Sequence, residues 1–273
     1  EINTDPNAPI DQAQIPFDAN LADYLEEGDL QKLSDKLVAS YESDRQSRKD
    51  WEETYTKGLD MLGFKYEDRT QPFEGASGVI HPLLAESVTQ FQAQAYKELL
   101  PSGGPVNTEI VGEILPEIEE QAKRVKDYMN YQLMYVMKEY DPDMDQLLFY
   151  LPLSGSAFKK TYYDGLLQRA VSKFVSSEDC VINYMASSLE DAVRITHTTK
   201  IDGNELRKQQ VSGFYRDIPI TSGSVSTTDD VKEKIDELQG VSDNLASDDD
   251  EHVLLEMHVD ADVPGFEDQS GIK

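Results

Sequence analysis

Residues 157–175 read Ala157-Phe158-Lys159-Lys160-Thr161-Tyr162-Tyr163-Asp164-Gly165-Leu166-Leu167-Gln168-Arg169-Ala170-Val171-Ser172-Lys173-Phe174-Val175, and here the helical period of the preceding chain stops. Ala157 to Tyr163 and Ala170 to Val175 are rich in β-branched and aromatic residues, which favour extended backbone. Between them Asp164-Gly165 supplies a pair that tolerates positive backbone angles, so the two runs are expected to form strands joined by a turn. The chain therefore cannot be read as all-helical.

Upstream, the apolar spacing is helical. Leu30, Leu33, Leu37 and Tyr41 recur at three- and four-residue steps, and Trp51, Tyr55, Leu59 and Leu62 continue the pattern, which suits one long helix or two stacked ones. Gln71 to Gly78 reads as loop. Leu84, Val88, Phe91, Ala95 and Leu99 then mark one face of a helix ended by Pro101. Pro116 suits the first turn of the next helix, where Glu117, Glu119 and Glu120 complement the helix dipole. Its stripe, Ile118, Ala122, Val125, Met129, Leu133, Val136 and Tyr140, predicts a single rod of about six turns.

Downstream, Arg194 to Ile201 is expected to be a third strand, closed by Asp202-Gly203-Asn204, with a short helix over Glu205 to Gln210. Ser222 to Thr228 reads as a polar linker before a helix that carries Val231, Ile235 and Leu238 on one side. The acidic run Asp248 to Glu251 precedes a strand in which Val253, Leu255, Met257 and Val259 alternate with Leu254, Glu256, His258 and Asp260. The expected fold class is α+β, with long amphipathic helices in the first half and short antiparallel strands with helices in the second. The expected organisation is an extended N-terminal arm over 1–20, a mainly helical region over 21–150, and an α+β region over 151–273 that is truncated at its C-terminal end.

The 273 residues carry 53 Asp and Glu against 25 Lys and Arg, a formal net charge of -28. Such a surface repels phosphate backbones, which disfavours a protein that grips nucleic acid. Cys180 is the only cysteine, so no intrachain disulfide or CxxC motif exists. The strongest apolar run, Leu147 to Leu153, falls far short of the roughly 20 residues a membrane span needs. No basic-then-apolar leader opens the chain, and synthesis in a cytoplasm is expected. With no initiator Met at Glu1, the chain reads as a fragment of something longer.

Catalytic motifs fail on spacing. Asp141-Pro142-Asp143-Met144-Asp145 opens like a calcium loop, but Gln146 stands where a sharp turn needs glycine and Pro152 where the loop needs Glu. A helix-linking turn capped by Asp141 or Asp143 is the better reading. Gly75-Ala76-Ser77-Gly78 is not a nucleophile elbow, and Leu153 to Lys160 lacks the phosphate-loop spacing. His81, His197, His252 and His258 are scattered, and His252 and His258 lie too far apart on one strand to share a metal. No catalytic residue, cofactor or metal ligand is expected.

Certain segments resemble a known family. Asp50-Trp51-Glu52-Glu53, Gly58-Leu59-Asp60, Leu62-Gly63-Phe64, Gly75-Ala76-Ser77-Gly78, His81-Pro82-Leu83-Leu84 and Glu98-Leu99-Leu100-Pro101 look like the N-terminal region of portal proteins from short-tailed and related marine bacteriophages. Tyr162-Tyr163-Asp164, Val175 to Asp179 and Arg194 to His197 extend the likeness, which spans roughly residues 45 to 217. The resemblance implies a dodecameric ring with crown, wing, stem and clip regions at one capsid vertex of the virion. The implied partners are the large terminase subunit, tail adaptor proteins, the capsid protein and double-stranded DNA that passes without sequence-specific binding. A portal has contact surfaces and no catalytic set, and this segment corresponds mostly to the wing.

Under that implication, Leu84, Val88 and Phe91, and separately Met129, Leu133 and Val136, are candidates for packing between subunits. The simpler alternative is that they fill the chain's own core. Two other functions compete with the ring. One is a metal-dependent nuclease or hydrolase using the acidic clusters at Asp229-Asp230 and Asp248 to Glu251, and the other is an acidic scaffold or adaptor that binds a basic partner.

Overall fold

The computed structural model describes residues 20–62, 73–78, 81–165, 167–219, 230–239, 251–260 and 263. Within them the fold is α+β, with helices concentrated in the first half and strands in the second. The expected arm over 1–20 lies, apart from Asn20, outside the described residues.

A short 3-10 turn, Leu21–Asp23, leads into α1 (Glu27–Ser47) and α2 (Lys49–Leu62). The sequence allowed one helix or two, and the chain forms two. At Arg48 the backbone leaves helical geometry, with φ -99 and ψ 8, and its N–H donates to Arg45 O at 3.2 Å. Helix α3 (Leu83–Leu99) ends ahead of Pro101 as the sequence suggests.

The six-turn rod is corrected. The α-helix α4 runs only over Pro116–Tyr131 and passes into a π-turn, Gln132–Val136, closed by Met137 N–H donating to Gln132 O at 2.8 Å. The chain breaks at Met137, which is buried, and Tyr140 begins α5 (Tyr140–Ser154) instead of ending the rod. Local spacing carried the stripe across this break because Val136 and Tyr140 still sit four residues apart. Asp141 and Asp143 are likewise not caps; Glu139 occupies the cap position and both aspartates lie in the first turn of α5. Pro152 falls in the last turn, and Gly155, at φ 82, ends the helix in the left-handed region that glycine adopts without a Cβ clash.

Strands β1 (Phe158–Asp164) and β2 (Arg169–Val175) pair antiparallel, with Phe158 opposite Val175 and Asp164 opposite Arg169. The Asp164 side chain accepts from Leu167 N–H at 3.0 Å, which steadies the turn that Asp164-Gly165 predicted. A second sheet has the order β3-β4-β5, from Cys180–Ile182, Arg194–Asp202 and Glu251–Val259. The two longer strands follow the sequence pattern, whereas β3 is too short to leave a period. Helices α6 (Gly203–Val211) and α7 (Asp230–Gln239) complete the set.

The chain divides into two compact units, each discontinuous in sequence. Among the described residues, one takes in those within 20–48, 181–197 and 255–263, and the other those within 49–180 and 198–254. In the first, Asp44 of α1 is buried and holds Arg194 and Asn183. In the second, Tyr55 and Leu59 of α2 meet Val231 of α7, flanked by Trp51, Leu153, Ile235 and Leu238. Trp51 stacks on Tyr55 at 5.4 Å and donates its indole N–H to Ser154 O at 2.9 Å, so the ring is buried without stranding its donor. The Tyr55 hydroxyl donates to buried Glu178 at 3.1 Å; burial first, and then that carboxylate, hold its pKa far above the ordinary phenol range.

Candidate functional site

Between α3 and α5 the chain makes an excursion in which no residue from Pro101 to Val136 is buried. Its spine is α4. Pro116 at the helix start and Glu117 and Glu119 in the first turn favour the helix locally, but no side chain of α4 or of the π-turn is buried.

An extended strap holds one side of this helix. Val106 N–H donates to Asn130 Oδ1 at 2.9 Å, and Asn130 Nδ2 donates back to Val106 O at 3.1 Å. Thr108 donates to Ala122 O at 3.2 Å, and Lys126 to Asn107 Oδ1 at 3.1 Å. The strap thus runs antiparallel to α4, about one turn of helix for each strap residue from Val106 to Thr108. Gly104 makes the entry possible. Its φ is 92, and a Cβ there would lie 2.4 Å from Asn130 Cγ, so any other residue would be strained and would push Asn130 away.

Away from the strap the helix surface is exposed. Val125, Tyr128, Met129 and Tyr131 are exposed, and beyond them Tyr135 is 72% exposed. Tyr131 and Tyr135 stack at 5.8 Å. Lys123, Arg124 and Lys126 place three cations within four residues on the same helix, and Lys123 and Arg124 are exposed.

At the foot of the excursion, carboxylates act as ties. The Tyr96 hydroxyl donates to Asp141 at 2.5 Å, Gln92 Nε2 donates to Asp145 Oδ1 at 2.7 Å, and Phe174 N–H donates to Asp143 Oδ2 at 2.8 Å. Three acids at alternate positions therefore bind three separate partners, two on α3 and one on β2. The Asp141 hydrogen bond, foremost, raises the Tyr96 pKa. Beside them Lys159 packs its ammonium 3.7 Å from the Tyr140 ring centroid, and burial lowers its pKa.

Arg169 Nη1 donates to Glu139 at 2.6 Å, which fastens the hairpin to the start of α5. That hydrogen bond holds the Glu139 carboxyl below its usual range. A carboxyl depressed in the folded state stabilises the fold above its unfolded pKa, and that contribution is lost as pH falls through the depressed value. Glu139→Gln is therefore expected to lower stability by about 1 kcal/mol at pH 7. The gap from the parent should close in acid, below the ordinary glutamate range. Melting curves between neutral pH and about pH 3 check this; a gap that stays constant with pH would sink it.

The six candidate packing residues fall in different surroundings. Val88 is 1% exposed and lies in the core of its own chain, Leu84 is half-buried, and Phe91 is 42% exposed. Leu133 and Val136 are half-buried in the π-turn, and Met129 is 45% exposed on α4. Sequence reading missed Tyr128, Tyr131 and Tyr135, which a helical wheel places away from the stripe. It also missed the strap, although Pro101-Ser102-Gly103-Gly104-Pro105 marks a backbone with special turn demands.

Of the acidic clusters, Asp229 and Asp248 to Asp250 lie outside the described residues. Among the described residues no group of three or more His, Cys, Asp or Glu side chains could hold a metal ion. His197 Nδ1 lies 3.7 Å from Glu256, and His258 contacts the same glutamate at 3.1 Å. No described helix is long and apolar enough to cross a membrane. In comparisons with known proteins, no family model and no curated protein matches the chain.

Proposed function

We propose that the chain is part of a structural, ring-forming conduit subunit of the tailed-bacteriophage portal type, without catalytic activity of its own. The observation that carries this reading is the excursion from Pro101 to Val136. It contains an amphipathic helix and an exposed pair of stacked tyrosines, yet buries no residue. A helix is stabilised mainly by covering its apolar face, so a second molecule is the economical way to complete this one.

Two further features support it. Segments resembling portal proteins run through α2, α3 and the β1–β2 hairpin, and the net charge of -28 suits a wall along which duplex DNA slides without being held. In this reading the subunit forms a dodecamer at the capsid vertex of the virion, with the large terminase subunit, tail adaptors and capsid protein as neighbours. It is made in the host cytoplasm.

Electron microscopy of the purified protein, freed of nucleic acid, tests the reading. Class averages should show a closed ring with a channel wide enough for duplex DNA. Featureless monomeric particles at every concentration tried would overturn it. So would divalent-ion-dependent cleavage of nucleic acid that disappears on substitution of Asp248, Asp249 and Asp250.

A further inference from the structure

We infer that the strap and α4 form one arm that turns as a unit against α3 and α5 of its own chain, about a hinge made by residues 100–103 on one side and the π-turn Gln132–Val136 on the other. The inference concerns motion within a single copy and does not rest on the portal reading.

The arm is tied to itself. The half-buried positions of α4, Ile118, Ala122, Lys126 and Asn130, recur every four residues, and the last three are bonded to the strap. What little surface this helix covers is therefore covered from within the excursion. Among the described residues, no side chain from 101 to 136 hydrogen-bonds, pairs or stacks with a group outside that stretch. The contrast begins a few residues later. Glu139, Asp141, Asp143 and Asp145 bind Arg169, Tyr96, Phe174 and Gln92, which fasten the start of α5 to α3 and to the hairpin. Turning the arm breaks none of these ties. Its cost falls on the backbone at the two junctions, and segments with few buried contacts are the ones that move most easily.

Both junctions have the geometry of a hinge, where a few residues at the ends of elements take up the change in backbone angle. Leu100 leaves helical geometry at φ -120 and ψ 64, and Met137 leaves it at φ -86 and ψ 79. On the first side Gly104 N–H donates to Pro101 O at 2.8 Å in a tight turn, and around Gly103 no heavy atom stands within 4 Å of where a Cβ would be. On the second side the π-turn replaces the regular α-helical ladder, a rare geometry found often at functional sites. Gly104 lies against Asn130, so the strap enters beside the end of α4 and the two crossings are neighbours. Two neighbouring crossings set one hinge line, and the paired hydrogen bonds between Asn130 and Val106 make the arm turn without splitting.

Pulsed electron-spin distance measurements on the whole chain test this. Cys180 is buried, so spin labels attach at introduced cysteines. One pair, Glu119→Cys with Gln90→Cys, spans from the far end of α4 to α3, and a second, Lys57→Cys with Gln90→Cys, joins α2 to α3 as the fixed reference. All three positions are exposed, so melting curves should match the parent. Labelled protein is diluted into unlabelled protein so that only distances within one copy are read. The arm pair is expected to give a distance distribution at least roughly twice as wide as the reference pair. Hydrogen exchange separates turning from unravelling. The α4 amides and Val106 should stay protected in the parent, and Asn130→Ala, which removes the acceptor of the Val106 N–H, should speed exchange at Val106 by about tenfold.

An arm pair as narrow as the reference pair overturns the inference. So does a wide distribution in which the α4 amides exchange like those of an unfolded chain, or an Asn130→Ala variant in which Val106 exchanges at the parent rate.

Discussion

Leu59→Ala is expected to destabilise the protein by about 3 kcal/mol, among the largest effects of any single truncation in the chain. Leu59 is 2% exposed and packs with Tyr55 against Val231, which is fully buried. Alanine would remove the apolar contact and leave a cavity that α2 and α7 close only in part, because Trp51 and Tyr55 are held by their own hydrogen bonds to Ser154 and Glu178. Those bonds fix the rings, so the neighbours cannot slide in to fill the space. In a thermal melt the change should appear as a drop of roughly 6 to 12 °C for a chain of this size. Leu83→Ala provides the contrast. The same deletion at a position 62% exposed should cost about 0.5 kcal/mol or less. If the two variants melt together, α2 and α7 do not form the core described.

The second large effect belongs to the other unit. Asp44 is 1% exposed, and both of its oxygens are engaged: Arg194 Nε donates to Oδ2 at 2.9 Å, Arg194 Nη2 to Oδ1 at 2.9 Å, and Asn183 Nδ2 to Oδ1 at 3.1 Å. A two-pronged pair of this kind fixes direction as well as charge. Asp44→Ala should cost about 3 kcal/mol, because the guanidinium keeps its place beside α1 with nothing to neutralise it. Asp44→Ala combined with Arg194→Met should recover a large part of that loss, since the stranded charge is then gone. Urea denaturation of the single and double variants gives the coupling. A double variant no better than Asp44→Ala alone would mean that lost packing, and not an uncompensated charge, sets the cost.

The two positions differ in how far the sequence announces them. Leu59 stands in a row with Trp51, Tyr55 and Leu62 that any helical reading places on one face, so its burial was legible. Nothing near Asp44 distinguishes it from the other charged residues of Glu42-Ser43-Asp44-Arg45-Gln46-Ser47-Arg48-Lys49-Asp50, which read as a solvated face or a junction. Its importance comes from Arg194 and Asn183, about 140 to 150 positions away. The same holds for Asp141, Asp143 and Asp145. Their spacing raised the thought of a cation, whereas α3 and β2 divide them among Tyr96, Phe174 and Gln92.

The sequence by itself determined the kinds of element and their approximate places. The helices from Glu27 to Leu99, the hairpin around Asp164-Gly165, and the strands at Arg194–Asp202 and Glu251–Val259 all follow from side-chain period and turn chemistry, which act within a few residues of backbone. Tertiary structure alone decided which faces are covered. It joined separated stretches into two units, broke the expected rod at Met137, and left no side chain of α4 buried where the same pattern in α2 buries Tyr55 and Leu59. The physical reason is that a period fixes the direction in which a side chain points from its own helix. What stands opposite depends on residues far along the chain or on another molecule, and no local pattern encodes it.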